Sequence, residues 1–251
     1  MFSKLIRKMY NLLLIPFTFK NWPQVIGYVL SIIFSIGDNK HKIGTVILRN
    51  GITLKIRLLN TLDLGSVMET HQRTIYTPLF MKIPENARII DIGASIGDFG
   101  VFCASSFIDV HVYCFEPMKE AFELMQKNIK LNDYGEHIIP FNLAISDIEG
   151  TIRFGDHTYK AITIRKVFEQ NCIDRCDLLK IDIEGAEYKV LLNTPVEVFN
   201  LINAIAMECH IVDTDKDLIA LTNHLTKVGF NVKSTKITAH NICYLYATKH
   251  K

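Results

Sequence analysis

A glycine-rich turn after a short apolar run is the first segment whose residue types could bind a ligand. The run contains Asp91 near its end, and Gly93, Gly97 and Gly100 follow it. Glycine allows a backbone to approach a ligand closely and to adopt positive φ angles. The dinucleotide-binding fingerprint is Gly-x-Gly-x-x-Gly, but Ser95 stands where its second glycine belongs. This departure argues against a pyrophosphate ligand and for a nucleoside without phosphates, whereas a tight junction between strand and helix is the alternative.

A second apolar run, Val110–Phe115, ends in a carboxylate. Glu116 follows the run directly, 25 residues after Asp91, and is itself followed by Pro117. An acidic side chain at the tip of the second strand can accept both hydroxyls of a ribose. Pro117 would fix the turn and offer a flat apolar surface to an adenine ring. Together with the glycine turn, this spacing favours ribose binding by Glu116 over a role beside a helix cap.

A third segment, Cys176–Glu187, places a lysine and several acids at the end of an apolar run. Lys180 and Asp182 would share one face of a strand. A buried lysine is costly unless it is paired or lies at a strand tip, and open α/β sheets bind ligands at the carboxyl ends of their strands. We therefore predict that Lys180 and Asp182 lie at the ligand-binding edge. Glu184 and Glu187 equally suit the first turn of a helix, where the helix dipole favours acids.

Alternating strands and helices would position these segments. Asn50-Gly51 between two apolar runs predicts a β-hairpin, and the alternation beyond it predicts a doubly wound, mostly parallel α/β sheet of seven strands. We expect a helical arm over residues 1–42, a hairpin and helical cap over 43–84, and the sheet domain over 85–251. The predicted strands are Thr45–Arg49, Ile52–Leu58, Arg88–Ile92, Val110–Phe115, Ile138–Ala144, Leu178–Ile183, Ala204–Glu208, Phe230–Thr235 and Ile242–Thr248, and the predicted helices are His71–Phe80, Glu120–Leu131, Ala186–Asn193 and Asp217–Val228.

The arm has an unusual composition. Residues 21–37 carry no charge, but this run of 17 residues begins with polar and proline positions and is short for a membrane-spanning helix. Lys4, Arg7 and Lys8 would suit an interfacial helix near anionic lipid. We expect residues 1–40 to pack on their own domain or on a second copy in a homodimer, and peripheral contact with a membrane is the alternative.

The composition of the 251 residues bounds the function classes. The chain has 28 basic against 26 acidic residues, so its charge gives no support for a nucleic-acid partner. Its six cysteines are sparse for a disulfide framework. Cys172 and Cys176 resemble half of a zinc site but have no second ligand pair. Free thiols indicate a cytoplasmic protein, with membrane association left open by the arm.

Several motifs resemble those of the FkbM-type S-adenosylmethionine-dependent methyltransferases. The Lys-Ile-Asp-Ile-Glu-Gly-Ala-Glu run is specific to this family, whereas the glycine turn is shared by class I methyltransferases generally. Ser95 stands where the family pattern often has Asn. The motifs that carry the resemblance are Asp91–Asp98, Phe115–Pro117, Asn128–Asn132, Leu179–Glu187, Met207–His210 and Gly229-Phe230.

The resemblance implies a Rossmann-like methyltransferase domain over 85–251 that uses S-adenosylmethionine as its cofactor. It implies methyl transfer to a hydroxyl oxygen of a small-molecule or glycan acceptor, such as a sugar or natural product. The acceptor site should involve the N-terminal region, Thr61–Phe80 and Gly155–Arg165. The cofactor contacts that we assign by this resemblance are Asp91, Gly93, Ala94, Ser95, Gly97, Asp98, Glu116, Pro117, Ala144 and Asp182.

Catalytic candidates lie at the tips of the fourth and fifth strands of the sheet domain. They are Asp182, Glu208 and His210. One of them would take the hydroxyl proton, and Glu208 could orient the His210 imidazole. The alternatives are a surface histidine, a Glu208 paired with Lys180, or a divalent cation held by all three residues, although we assign no metal.

Two other function classes are weighed against methyl transfer. A nicotinamide oxidoreductase is disfavoured by the missing middle glycine of the fingerprint. The other class is a non-catalytic module that its arm tethers to a membrane-associated assembly. Such a module would not need an intact glycine turn, a ribose-binding acid and the fourth-strand motif. These motifs therefore favour the enzyme.

Overall fold

The computed structural model describes residues 13–34, 42–58, 62–211, 216–238 and 241–249. Its strands are β1 (Ile43–Ile47), β2 (Thr53–Arg57), β3 (Arg88–Ile92), β4 (His111–Phe115), β5 (Ile138–Phe141), β6 (Ala144–Ile145), β7 (Gly150–Phe154), β8 (His157–Ile162), β9 (Leu178–Ile181), β10 (Ala204–His210), β11 (Phe230–Ser234) and β12 (Ile242–Lys249). Its helices are α1 (Trp22–Ile33), α2 (Leu62–His71), α3 (Asp98–Ser106), α4 (Lys119–Leu131), α5 (Ile164–Gln170), α6 (Glu187–Leu192), α7 (Val196–Phe199) and α8 (Lys216–Lys227).

Seven strands form the central sheet in the order β11-β12-β10-β9-β3-β4-β5. All neighbouring pairs from β10 to β5 are parallel, and β12 lies antiparallel between β10 and β11. The central strands β3 and β9 are mostly buried and apolar, as is typical of a parallel sheet covered on both faces, and their buried polar residues are Asp91 and Lys180. The prediction of a mostly parallel, seven-stranded α/β sheet is therefore confirmed.

Two asparagines of α4 attach the β1–β2 hairpin to the sheet domain. The buried Asn128 side chain accepts from the Lys55 backbone N–H at 2.7 Å and donates to the Lys55 and Ile96 carbonyl oxygens at 3.1 and 2.9 Å. Asn132, one helical turn further on, makes the same pair of bonds to Thr53 at 2.9 and 2.8 Å. The free edge of β2 thus obtains from two side chains the hydrogen bonds that a neighbouring strand would supply.

The arm packs on the same hairpin. Residues 13–18 are helical, and Phe19 forms a bridge to Leu48 of the hairpin and is fully buried. The Asn21 amide donates to the Thr45 carbonyl oxygen at 2.8 Å, and its oxygen accepts from the Ile47 N–H at 2.9 Å. Residues 13–34 therefore pack against their own chain, while Lys4, Arg7 and Lys8 lie outside the described residues. Among the described helices, none is long and apolar enough to cross a membrane.

Two predictions of secondary structure are wrong. The cap helix covers Leu62–His71 rather than His71–Phe80. Thr74 has a φ of +47°, which a helix cannot contain, and Pro78 disfavours helix in the preceding residue. The predicted strand Ile138–Ala144 is divided between β5 of the central sheet and β6 of a separate small sheet, ordered β6-β8-β7.

Candidate active site

The turn after β3 is tightly folded against the neighbouring strands. Gly93, Ser95 and Gly97 have φ angles of +80°, +47° and +79°. The N–H groups of Gly93 and Ala94 both donate to the Phe115 carbonyl oxygen at 3.0 Å. A Cβ atom on Gly93 would lie 1.8 Å from the carbonyl oxygen of Asp182. Gly93 is therefore required by its φ angle and by the contact with the end of β9.

Glu116 spans the base of this turn. Its two carboxylate oxygens accept from the Ser95 N–H at 2.9 Å and the Met118 N–H at 2.8 Å. The side chain is buried, and burial raises its pKa above the ordinary value. A carboxylate offers about four lone pairs, so each oxygen retains one for a ribose hydroxyl. Pro117 follows Glu116 and is partly exposed.

A buried ion pair links the glycine turn to β9. The Lys180 ammonium lies 2.9 Å from an Asp91 oxygen and donates to the Gly93 carbonyl oxygen at 2.8 Å. Both side chains are nearly inaccessible. Burial alone would lower the pKa of Lys180, but the charges of Asp91 and Asp182 outweigh it and raise that pKa above the ordinary value. Asp91 therefore fixes the turn through Lys180, and the alternative in which Lys180 pairs with Glu208 is wrong.

Replacing Lys180 with methionine should lower the free energy of unfolding by about 3–5 kcal/mol, because the Asp91 carboxylate would remain buried without its cation. Urea unfolding measures this loss. The matched control is Lys189→Met, which removes a 69% exposed lysine from Asp147 and should cost about 0–1 kcal/mol. The double variant Lys180→Met/Asp91→Asn should recover part of the loss. A single-variant loss no larger than that of the control would contradict the assigned role.

The three catalytic candidates converge at the tips of β9 and β10. One ligand atom each of Asp182, Glu208 and His210 lies within 4.8 Å of the others, and all three residues are partly exposed. This spacing could hold a cation or pass a proton. The His210 Nε2 atom lies 3.5 Å from a Glu208 oxygen and 3.5 Å from a Glu184 oxygen. The predicted juxtaposition of strand-tip residues is present in the structure, whereas their catalytic role stays a prediction.

Glu187 makes the closest contact with the His210 imidazole. A Glu187 oxygen lies 2.9 Å from Nδ1 of His210 and also accepts from the Ile183 N–H at 3.1 Å. Glu187 stands in the first turn of α6, as predicted, but it is fully buried. Glu208 faces the other ring nitrogen at 3.5 Å, so Glu187 makes the closer contact, and an orienting role for Glu208 stays a prediction.

The electrostatics of the cluster distinguish its two proton-binding groups. The hydrogen bond that His210 donates to the Glu187 carboxylate raises the pKa of His210 to about 9. Burial, and then the negative charge of Asp182, raise the pKa of Glu208 to about 7. At neutral pH His210 is consequently an imidazolium, whereas Glu208 is poised between its two forms. A general base works best with a pKa near the operating pH, so Glu208 is the better base.

Residues of the hairpin and cap also reach the site, and the sequence patterns did not single them out. The Tyr76 hydroxyl donates to an Asp182 oxygen at 2.9 Å, and its ring meets that of Tyr244 edge-on at 6.4 Å. The Arg57 guanidinium donates to the Ser95 hydroxyl at 3.3 Å. These contacts depend on the packing of residues distant in sequence. Of the three, only Tyr76 lies in the Thr61–Phe80 stretch that we expected to border the acceptor site.

Two of the assigned cofactor residues, Asp98 and Ala144, are buried. Asp98 is buried at the start of α3, accepts from the Thr70 and Ser66 hydroxyls at 2.8 and 3.0 Å, and has its pKa raised to about 6 by burial. Ala144 is buried in β6 of the small sheet.

The six cysteines are free thiols, as predicted.

The seven-stranded order with its antiparallel β12, and the glycine turn joined to an acid at the next strand tip, define a Rossmann-like methyltransferase fold. The chain belongs to the FkbM methyltransferase family, because the family model described as "Methyltransferase FkbM domain" matches residues 91–230. This result confirms the resemblance seen in the sequence.

Two curated relatives are methyltransferases by name. Methyltransferase sdnD of Sordaria araneosa is 21% identical over 175 residues, covering 51% of this chain and 68% of the relative. Hexuronic acid methyltransferase AglP of Haloferax volcanii is 23% identical over 176 residues, covering 63% and 70%.

Solved structures resemble the chain in fold. Methyltransferase FkbM from Methylobacillus flagellatus KT superposes with a TM-score of 0.54 at 19% identity, over 69% of this chain and 47% of that one. The M. jannaschii tRNA m1G37 methyltransferase gives 0.55 at 17% identity, over 86% and 59%. The chain thus spans about half the length of these structures, and such low identity shows the fold alone.

Proposed function

We propose that the protein transfers a methyl group from S-adenosylmethionine to a hydroxyl oxygen of a saccharide or natural-product acceptor. One observation carries the proposal. The Gly93 backbone lies against that of Asp182, so the nucleoside-type turn and the acid–histidine cluster share one edge of the sheet. A donor held by the turn would present its methyl group beside the groups that can accept a proton. The hexuronic acid named for the Haloferax volcanii relative supports a saccharide acceptor.

The cofactor side of the site would use the turn and Glu116. S-adenosylmethionine supplies an already activated methyl group on a sulfonium. The free lone pairs of Glu116 would accept the two ribose hydroxyls, and the positive-φ backbone from Gly93 to Gly97 would allow close approach of the nucleoside. Pro117 would pack on the adenine, while Asp182 borders the methyl-bearing end.

The acceptor side of the site would use Glu208. Its carboxylate would take the acceptor hydroxyl proton as the hydroxyl oxygen bonds to the methyl carbon and the sulfur–carbon bond of the donor breaks. His210, held as an imidazolium by Glu187, keeps Glu208 more acidic than burial alone would leave it. The Tyr76 hydroxyl holds Asp182 in place, and the partly exposed ring of Tyr244 beside it would offer an apolar face to a sugar ring. The protein thus contributes mainly position and a proton acceptor.

Replacing Glu116 with alanine should weaken S-adenosylmethionine binding by about 2–4 kcal/mol, because two charge-assisted hydrogen bonds are lost. This corresponds to roughly a 30- to 700-fold rise in Kd, which titration calorimetry measures. Glu123→Ala, on the exposed face of α4, is the matched control and should change the Kd less than threefold. Equal melting temperatures would show that the variants remain folded. A Glu116 variant that binds as tightly as the control would place the ribose elsewhere.

The activity itself is tested with tritium-labelled S-adenosylmethionine and a panel of uronic acids, neutral sugars and hydroxylated natural products. If the tritium label in a saccharide product resists mild base, the product is a methyl ether, and a hydroxyl group has therefore been methylated. Label released by mild base would identify a methyl ester and would contradict the proposed acceptor group. Failure to bind the donor at all would contradict the function.

A further inference from the structure

The arm presents apolar side chains to solvent beside those that pack on the hairpin. In α1, Val25 and Val29 are buried, whereas Trp22, Leu30 and Ile33 are 39%, 44% and 54% exposed. At 100° per residue these three exposed positions fall within one quarter of the helix circumference. Further exposed apolar side chains of the arm are Leu13, Phe17 and Phe34.

These exposed apolar side chains belong to a helix without charge, and basic residues occur nearby in the sequence and in the hairpin. Helix α1 carries no charged side chain, while Lys20, just before it, and Arg49 of the hairpin are exposed. Arg49 is held against the arm by a hydrogen bond from its guanidinium to the Pro16 carbonyl oxygen. Residues 1–57 contain nine basic and one acidic residue, whereas the rest of the chain contains 19 basic and 25 acidic residues. The excess of positive charge therefore lies in the N-terminal 57 residues of the sequence.

The charge distribution decides between the two occupants that such a face could bind. A second copy that used the same face would bring two sets of basic residues together, which costs free energy at low ionic strength. An anionic lipid surface would instead attract those residues and accept the apolar side chains below its headgroups. A 12-residue helix is also too short to cross a bilayer and would lie along it.

We propose that the exposed side chains of Trp22, Leu30 and Ile33, together with the exposed Lys20 and Arg49, bind the surface of an anionic lipid bilayer. Packing of the arm on the hairpin and contact with a membrane are compatible, because the buried Val25 and Val29 make the packing contacts and the exposed side chains beside them stay accessible. The sheet domain would thereby be held at a membrane surface through its hairpin.

Trp22 is the only tryptophan of the chain, so its fluorescence reports on this face directly. With vesicles of phosphatidylcholine and phosphatidylglycerol at 7:3, we expect a blue shift of its emission and co-sedimentation of the protein. Both effects should weaken at 0.5 M salt and disappear with vesicles of phosphatidylcholine alone. The double variant Leu30→Ser/Ile33→Ser should lower the partition coefficient at least tenfold. Ile219→Ser, at a 53% exposed position of α8, is the matched control and should leave it unchanged.

Two outcomes would overturn the proposal. One is an emission spectrum that does not respond to anionic vesicles. The other is lipid-independent self-association that Leu30→Ser/Ile33→Ser abolishes, since this would identify a second copy of the chain as the occupant. Calorimetric binding of S-adenosylmethionine should be the same in both variants and the wild type, which separates this inference from the proposed catalytic function.

Discussion

Replacing Gly93 with alanine should abolish binding of S-adenosylmethionine and destabilise the protein by more than about 4 kcal/mol, an unusually large effect for one methyl group. The new Cβ atom would meet the Asp182 carbonyl oxygen at 1.8 Å, and the φ angle of +80° is one that side chains other than glycine rarely adopt. Because the obstacle is backbone, no rotamer change can relieve it. Either β9 moves away from β3 or the turn unfolds, and both outcomes separate the donor site from the catalytic cluster.

Two other glycines provide graded controls for that substitution. Gly97→Ala also changes a positive-φ residue, but its Cβ atom would meet the flexible Met125 side chain at 2.7 Å, so we expect a smaller loss. Gly135→Ala has no atom within 4 Å and should be nearly neutral. Thermal melting and titration calorimetry of the three variants should follow this order. If Gly93→Ala bound the donor within threefold of the wild type, the site would not lie at this turn.

Replacing Glu208 with glutamine should lower turnover by a factor of about 10² to 10⁴ and change the Kd of S-adenosylmethionine only several-fold, as expected when a general base is removed. The active form of Glu208 is its carboxylate, and the pKa of this group is raised to about 7. The wild-type rate should therefore be constant above pH 7 and fall tenfold per unit well below it. In Glu208→Gln the rate should no longer depend on pH in this way. A purely structural role of Glu208 would not predict this change in the pH–rate profile.

Variants of two neighbouring acids sharpen the test of Glu208. Glu184→Gln changes a 73% exposed acid near His210 and should alter the rate less than a few-fold. Glu187→Gln should remove the main cause of the raised pKa of His210, and a neutral imidazole would no longer lower the pKa of Glu208. The midpoint of the pH–rate profile should then move above 7. If a chelator reproduced Glu208→Gln and Mn²⁺ restored activity, a bound cation rather than proton transfer would explain the cluster.

The sheet domain could be predicted from the sequence because its evidence is local. The apolar runs of β3, β4 and β9 and the glycine spacing after β3 identify the strand tips, and parallel topology brings those tips to one edge. The roles of Glu187 and Tyr76 depend on contacts across 23 and 106 residues, which no local pattern records. Glu187 was assigned to the helix dipole because its position in a first turn explains an acid equally well. The small sheet with β7 and β8 escaped prediction because its strands are mostly exposed and lack apolar alternation.

The arm and α4 together close both edges of the β1–β2 hairpin. Asn21 occupies the outer edge of β1, and Asn128 and Asn132 occupy the outer edge of β2. A two-stranded ribbon with open edges could recruit an extended segment of another chain and grow into an intermolecular sheet. Here the amide side chains compete with any incoming strand for the same backbone groups. The hairpin is therefore a poor template for aggregation, and assembly through it would have to use side-chain surfaces rather than strand addition.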